Sequence, residues 1–250
     1  MLKTPLCGVL GIEKPVFQGG MAWIADASLA AAVSEAGGLG IIAAMNADAE
    51  WLREQIHELR RLTDKPFGVN VMLMSPFADE VAQVVIDEKV PVVVTGAGDP
   101  RKFMKGGIAD GRGVAAALML GAQGVQVGTR FLVADECTVS EEYKELVLKA
   151  KDISTRATGR TTGHPVRALK TQFSTAYARL EAEGASPEKL AEFGTGALRR
   201  AAKDGDVKNG SFLCGQIAGM VRERQSAREI VDDLVEGAQE VLSGAGRWVR

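Results

Sequence analysis

A chain of 250 residues, 46% hydrophobic and 25% charged, can bury a core of domain size and does not have the composition of a disordered protein. Its formal net charge of -2, with no basic stripe, gives no electrostatic footprint for nucleic acid. Cys7, Cys137 and Cys214 stand far apart in no metal spacing and fit a reducing compartment, no apolar run approaches the roughly 18 residues of a membrane span, and "MLKTPLCGVLGIEKP" has no signal-peptide core. The expectation is a soluble, cytoplasmic protein with no metal, no membrane partner and no nucleic-acid partner.

From Pro15 to Gly98 short apolar runs alternate with helical patterns. "PVFQGGM" precedes the helical "ASLAAAVSEAGG", which Gly37 and Gly38 stop. "LGIIAAM" leads into "DAEWLREQIHELRRLTD", where Trp51, Ile56, Leu59 and Leu62 recur near helical spacing; "PFGVNVML" leads into "PFADEVAQVVIDEK"; and "PVVVTGAG" closes the series. These strands are continuous apolar runs, as parallel strands covered on both faces require, so the series predicts an α/β fold with a parallel sheet. "DPRKFMK" has three cations and no β-branched run, and reads as the first turn of a helix that stops abruptly. "DGRGVAAALMLG" is a small helix with Asp110 as N-cap and Gly121 as stop, and "GVQVGTRF" is another buried strand. Beyond Phe131 strand signals vanish and the chain reads as helices, among them "SEEYKELVLKAKD", "SPEKLAEFG" and "SAREIVDDLVEGAQEVLSG".

Glycines follow the strands rather than interrupting helices: Gly19 and Gly20, Gly96 and Gly98, Gly106 and Gly107, and Gly128 with Thr129. Ligands of parallel α/β proteins bind at the carboxyl ends of strands, where glycine permits close backbone approach. For any one Gly-Gly pair, plain turn chemistry is an equal explanation. The combination of a "GGIADG" loop entering a helix and a strand ending "GTR" about twenty residues later matches the phosphate site that barrels build after their last two strands.

In order along the chain, "PVFQGGMAW", "AVSEAGGLGII", "KPFGVNVML", "VPVVVTGAGDP", "GGIADGRG", "VQVGTRF", "GHPVR", "GDVKNGS" and "GQIAG" resemble the FMN-dependent enoyl-acyl-carrier-protein reductase II family of the nitronate monooxygenase superfamily. The resemblance implies a TIM (β/α)8 barrel over 1–131 with FMN at its carboxyl face, and a helical extension over 132–250 that completes the barrel and substrate mouth. It implies that Gly19, Gly20, Met21 and Ala22 border the flavin, that Asn70 bonds its polar edge, and that Gly106, Gly107, Gln126, Gly128 and Thr129 hold its phosphate. NADH or NADPH is the implied co-substrate, an enoyl group on acyl carrier protein the implied substrate, and a homodimer the expected assembly.

The chain departs from that family between "TGAG" and "GGIADG", where several β/α units are absent. Residues 15–131 offer five recognisable strands, whereas a closed eightfold barrel needs roughly 200 to 250 residues. Either an internal segment of a longer protein is omitted, leaving a break expected between about Asp99 and Gly107, or the chain is a true deletion variant. The intact flanks, and the apolar surface that a deletion would expose, favour omission.

The family's favoured proton donor is a histidine of the absent stretch, so no catalytic residue is assigned. His57, in "REQIHELRR", reads as a solvated surface residue; His164, in "TTGHPVRA", is a weak candidate, with loop ordering the stronger reading. Trp23 is a candidate neighbour of the flavin, although packing explains it equally. Arg156, Arg160, Arg167, Lys170, Arg199 and Arg200 are candidates to meet an acidic carrier protein, or simply a solvated surface. The expected activity is enoyl reduction, with a nitronate monooxygenase as alternative and a non-catalytic flavin-binding remnant as a second alternative.

Overall fold

The computed structural model describes residues 2–44, 47–73, 75–96 and 107–248. The expected break, the "DPRKFMK" helical turn and Gly106 lie outside the described residues. In chain order the elements are α1 (Pro5–Leu10), β1 (Val16–Gln18), α2 (Ala27–Glu35), β2 (Gly40–Ala43), α3 (Ala49–Leu62), β3 (Phe67–Met72), α4 (Ala78–Asp87), β4 (Val92–Gly96), α5 (Gly111–Met119), β5 (Val125–Val127), α6 (Glu141–Leu148), β6 (Thr155–Thr158), β7 (Val166–Leu169), α7 (Gln172–Ala182), α8 (Pro187–Gly194), α9 (Ala197–Ala202) and α10 (Ala227–Ser243). They form two compact units. One comprises Met1–Thr138 with Gln225–Arg250, the other Val139–Arg224.

Side-chain caps fix the helix starts. Asp26 accepts from the Leu29 amide, Asp48 from Trp51, and Asp110 from Arg112 and Gly113, while Ser226 and Glu229 form a reciprocal capping box on α10. The buried stripe of α3 is Leu52, Ile56 and Leu59; Leu62, expected in that stripe, is half exposed at the helix end.

In the first unit all strands run parallel, β1 with β5 and β2 with β3 with β4. A single bridge, Phe17 to Leu39, joins the two groups. Beside it the buried Gln18 amide accepts from the Ile41 N–H at 3.1 Å and donates to the Ile41 and Gly19 carbonyls. The spatial order is therefore 5-1-2-3-4. In a closed eightfold barrel the neighbour of the first strand on its far side is the eighth, so β5 holds the place of strand eight. Helix α10 packs on α5, α2 and β1, which is the place of the eighth helix.

Each strand sorts its residues by face. Outward residues Ile42, Val69 and Val71 meet Ala30, Leu52, Ile56, Leu59, Val81 and Val84 of the helices. Inward residues Phe17, Ile41, Val92 and Val94 pack together over Cys7, Leu10 and Ile12, so α1 closes the amino-terminal end of the barrel segment.

The second unit contains an antiparallel ribbon, β6 with β7, where the sequence had suggested helices alone. Each strand has only four residues and carries an arginine, Arg156 or Arg167, so neither presents an apolar run. Burial against Phe212 and Leu213, including a bond from the Leu169 amide to the Phe212 carbonyl, overrides weak local preference. All three cysteines are buried and unpaired, and burial pushes the Cys214 thiol up to about 12.

Two stability outcomes follow from these contacts. Helices α5 and α10 cross at Gly111 and Gly237, and a methyl group on Gly111 would lie 2.4 Å from the Ala238 backbone nitrogen. Gly111→Ala should lower stability by about 1–3 kcal/mol in urea unfolding despite alanine's better helix propensity, because two backbones must move apart. Between α3 and α4, burial works against ionisation of Glu88, but hydrogen bonds from Arg60 and His57 outweigh it and hold the carboxyl below its ordinary range. A lowered folded-state value gives stability that is present above the unfolded carboxyl pKa and lost as pH falls through the folded one. Glu88→Gln should cost at most about 1 kcal/mol at neutral pH, with the difference from wild type closing below about pH 4.

Candidate functional site

The carboxyl ends of β1, β3, β4 and β5 form a mouth lined by glycine and amides. A methyl group on Gly20 would fall 2.7 Å from Asn70 Cβ, and one on Gly96 would fall 3.1 Å from Asn70 Oδ1, so Asn70 sits between the ends of β1 and β4. A methyl group on Gly19 would meet Gln126 Nε2 at 2.8 Å, and one on Gly128 would lie 3.5 Å from Met21 Sδ. The two closest approaches, at Gly19 and Gly20, favour glycine, since a side chain there would displace an amide. The structure thus brings Gly19, Gly20, Met21, Asn70, Gln126 and Gly128 together, with Ala22 and Thr129 next to them in sequence and largely buried. Register explains the convergence. Gln18 lies opposite Val127, and Asn70 lies opposite both Ala43 and Val94.

Gly107 adopts φ 122°, a conformation that favours glycine, three residues before the Asp110 cap of α5. Arg112 donates to Asp110 Oδ2 through Nη2 at 2.6 Å and Nε at 2.9 Å. Those bonds, helped by the Gly113 and Arg112 amides and opposed by burial, hold the Asp110 carboxyl below its ordinary range. None of the residues at the mouth itself is charged. An anion here would be held by backbone N–H groups, hydroxyl and amide, which fits a phosphate reached through glycine turns.

Sequence reasoning missed Gln18. It is fully buried and stitches β1 to β2, and the only signal was one polar residue ending an apolar run. Trp23 has φ 64°, a strained value for a bulky residue, and is 37% exposed. His57 lies on the surface of α3 against Glu88 at 3.2 Å. His164 belongs to the second unit, exposed between β6 and β7, where it lines a cavity of about 430 Å3 with Phe173, Tyr177 and Leu213. The six candidate cations, Arg156 to Arg200, all belong to that unit; there Arg167 donates to Thr155, Arg199 pairs with Asp204, and Arg200 donates to the Asn209 and Thr195 carbonyls.

A parallel barrel segment with a glycine-lined, uncharged mouth at its carboxyl ends defines the chain as a flavoprotein oxidoreductase of the TIM-barrel type. The nitronate monooxygenase profile matches residues 3–91 and 103–237, and the chain belongs to that family of FMN-dependent oxidoreductases. The structure is similar to FabK from Thermotoga maritima, at 37% identity and TM-score 0.94 over 100% of both chains. A carboxyl-CoA dehydrogenase of Mycobacterium tuberculosis, acting on an octahydroindene compound, is 27% identical over 353 aligned positions, covering 99% of each chain. A nitronate monooxygenase of Paraburkholderia phytofirmans is 27% identical over 93% of this chain and 94% of its own. Among the described residues no helix is long and apolar enough to cross a membrane.

Asn70→Leu keeps the volume near Gly20 and Gly96 but removes the amide. It should leave the circular dichroism spectrum unchanged while FMN affinity, measured by fluorescence quenching, falls about tenfold, the size expected for one lost hydrogen bond to a polar ring edge.

Proposed function

We propose that the chain carries the flavin-binding part of a reductase that uses NADH or NADPH to reduce trans-2-enoyl groups held as thioesters on acyl carrier protein. The observation that carries this reading is the likeness to FabK over the whole chain, beside the glycine-lined mouth of this one. A relative named for a carboxyl-CoA substrate supports thioester chemistry in the same family.

Bound FMN would supply hydride acceptance from the nicotinamide and hydride return to carbon. The residues of this chain bind and orient. Gly107 with the backbone before the Asp110 cap of α5, and Gly128 with Thr129, would hold the phosphate, with Gly106 beside them in sequence; Gly19, Gly20, Met21 and Ala22 would border the ring; Asn70 would fix its polar edge; and Gln126 would close the phosphate side against Gly19. No acid or base stands among these mouth residues. The proton donor is assigned to the strands that lie between β4 and α5 in relatives, and His164 is left with loop ordering. The cations of the second unit are proposed to meet the carrier protein, with a homodimer as the assembly.

FMN-loaded protein should consume NADH only when crotonyl thioester is added. Oxygen uptake on propionate nitronate without that response would mark a nitronate monooxygenase, the activity for which the Paraburkholderia relative is named. Flavin binding with neither reaction would mark a non-catalytic remnant. Gly107→Val should lose most of its flavin on purification, because valine at φ 122° is strained and blocks amide approach.

A further inference from the structure

The second unit contains a cavity of about 430 Å3 whose walls all belong to that unit, within the range of about 300–1,000 Å3 usual for small-molecule sites. Val166, Phe173, Leu198 and Leu213 make it apolar, Thr158, Thr162 and Tyr177 add hydroxyls, and no carboxylate is among its described lining residues. The walls are fixed from behind. Glu181 of α7 accepts from the Gly159 and Thr161 amides at 3.1 and 2.9 Å and from the Thr161 hydroxyl at 3.0 Å, and Thr162 donates to the Gly159 carbonyl at 2.9 Å. Phe173 stacks on Phe193 of α8 with ring centroids 5.1 Å apart. A site held in this way loses little freedom when a ligand enters.

The β6–β7 ribbon brings a cation to this wall. Arg156 and Thr158 point to the same face of β6, opposite Ala168 and Val166 of β7, and Ala168 is bridged in turn to Leu213. Thr158, Val166 and Leu213 line the cavity, so Arg156 lies on the same face beside it. Its Nε is buried, and among the described residues no acceptor meets it. A buried guanidinium donor without an acceptor is unfavourable, and a carboxylate is the group that its planar fork matches. Glu181, the acid behind the wall, is taken up by the loop amides.

We infer that the second unit binds an aliphatic carboxylate of medium chain length, with the chain among Val166, Phe173, Leu198 and Leu213 and the carboxylate on Arg156. Burial of the chain supplies the larger part of the affinity, and the guanidinium selects the free acid over an uncharged alcohol or thioester of the same chain. Arg156 then serves this cavity, and the other five cations of the unit remain for the carrier surface. The inference rests on the second unit alone, and not on the flavin mouth or the proposed substrate.

Octanoate is the probe, titrated calorimetrically into the full chain, with 1-octanol and the neutral thioester octanoyl-pantetheine as comparisons. Octanoate should bind at one site with Kd below about 1 mM and a negative heat-capacity change, at least tenfold more tightly than either neutral compound. Ala191 lines the cavity from an exposed position on α8. Ala191→Phe should therefore fill the cavity without repacking the unit, weaken octanoate at least tenfold and leave the circular dichroism spectrum unchanged. Arg156→Met keeps an unbranched side chain and removes the guanidinium; it should lower octanoate affinity to that of 1-octanol, whose own affinity should not change. Absence of binding to the wild-type chain, equal affinity for a neutral compound, or unaltered octanoate affinity in either folded variant would each overturn the inference. FMN retention, read on the same samples, tests the flavin mouth separately, so its failure is distinguishable from failure of this site.

Discussion

Pairing of β1 with β5 is the contact on which the first unit depends. It joins strands more than a hundred residues apart, Val16 opposite Val125 and Gln18 opposite Val127. The register carries Gly128 to the ends of the residues that follow β1, so the two halves of the mouth meet through Gly19 with Gln126 and Gly128 with Met21. Helix α10 secures this pairing from outside, crossing α5 where Gly111 and Gly237 let the backbones touch and reaching α2 and β1 on the other side. Sequence position and barrel position thus part company. Helix α10, near the end of the sequence, braces the first strand, and Val139–Arg224 forms a compact unit that lies in sequence between β5 and this helix.

The same topology explains which hydrophobic residues are covered. Burial is complete where a strand has a neighbour on each side and a helix behind it, as for Ile42 and Val69. Coverage fails at β4, whose residues alternate between partly buried and exposed although "PVVVTG" contains three consecutive valines. A run of three valines belongs in the middle of a parallel sheet. Its place at the edge of the described strands is a conflict between local sequence and fold.

Much of the first unit was legible because continuous apolar runs, Asp caps and glycine stops are local signals. Asp26, Asp48 and Asp110 cap helices close to their expected starts, and the five parallel strands lie where "PVFQ", "GIIA", "FGVNVM", "VVVTG" and "VQV" stand. The glycine positions at the mouth were legible for the same reason. What the sequence did not reveal was decided by tertiary contact. The β6–β7 ribbon has no apolar run and is held by Phe212 and Leu213, and α10 has the same amphipathic pattern whether it caps a surface or completes a barrel. Gln18 looked like the polar end of a strand. Its amide is in fact the stitch that replaces a missing stretch of backbone pairing between β1 and β2.

The start of α5 shows how the proposed phosphate corner must work if the helix is to keep its cap. A helix offers only its first few N–H groups to an anion, and Asp110 already takes those of Arg112 and Gly113. A dianion placed on the same groups would face the Asp110 carboxylate, which its bonds to Arg112 keep ionised. In the proposed site the phosphate would therefore lie on the backbone that precedes the cap, beginning at Gly107, together with Gly128 and Thr129. Arg112 balances the charge of the cap rather than that of a ligand. In that proposal binding at this corner is a property of the residues that follow β5 and of the loop from Gly107 to the α5 cap, independent of any chemistry contributed by the strands that would close the barrel.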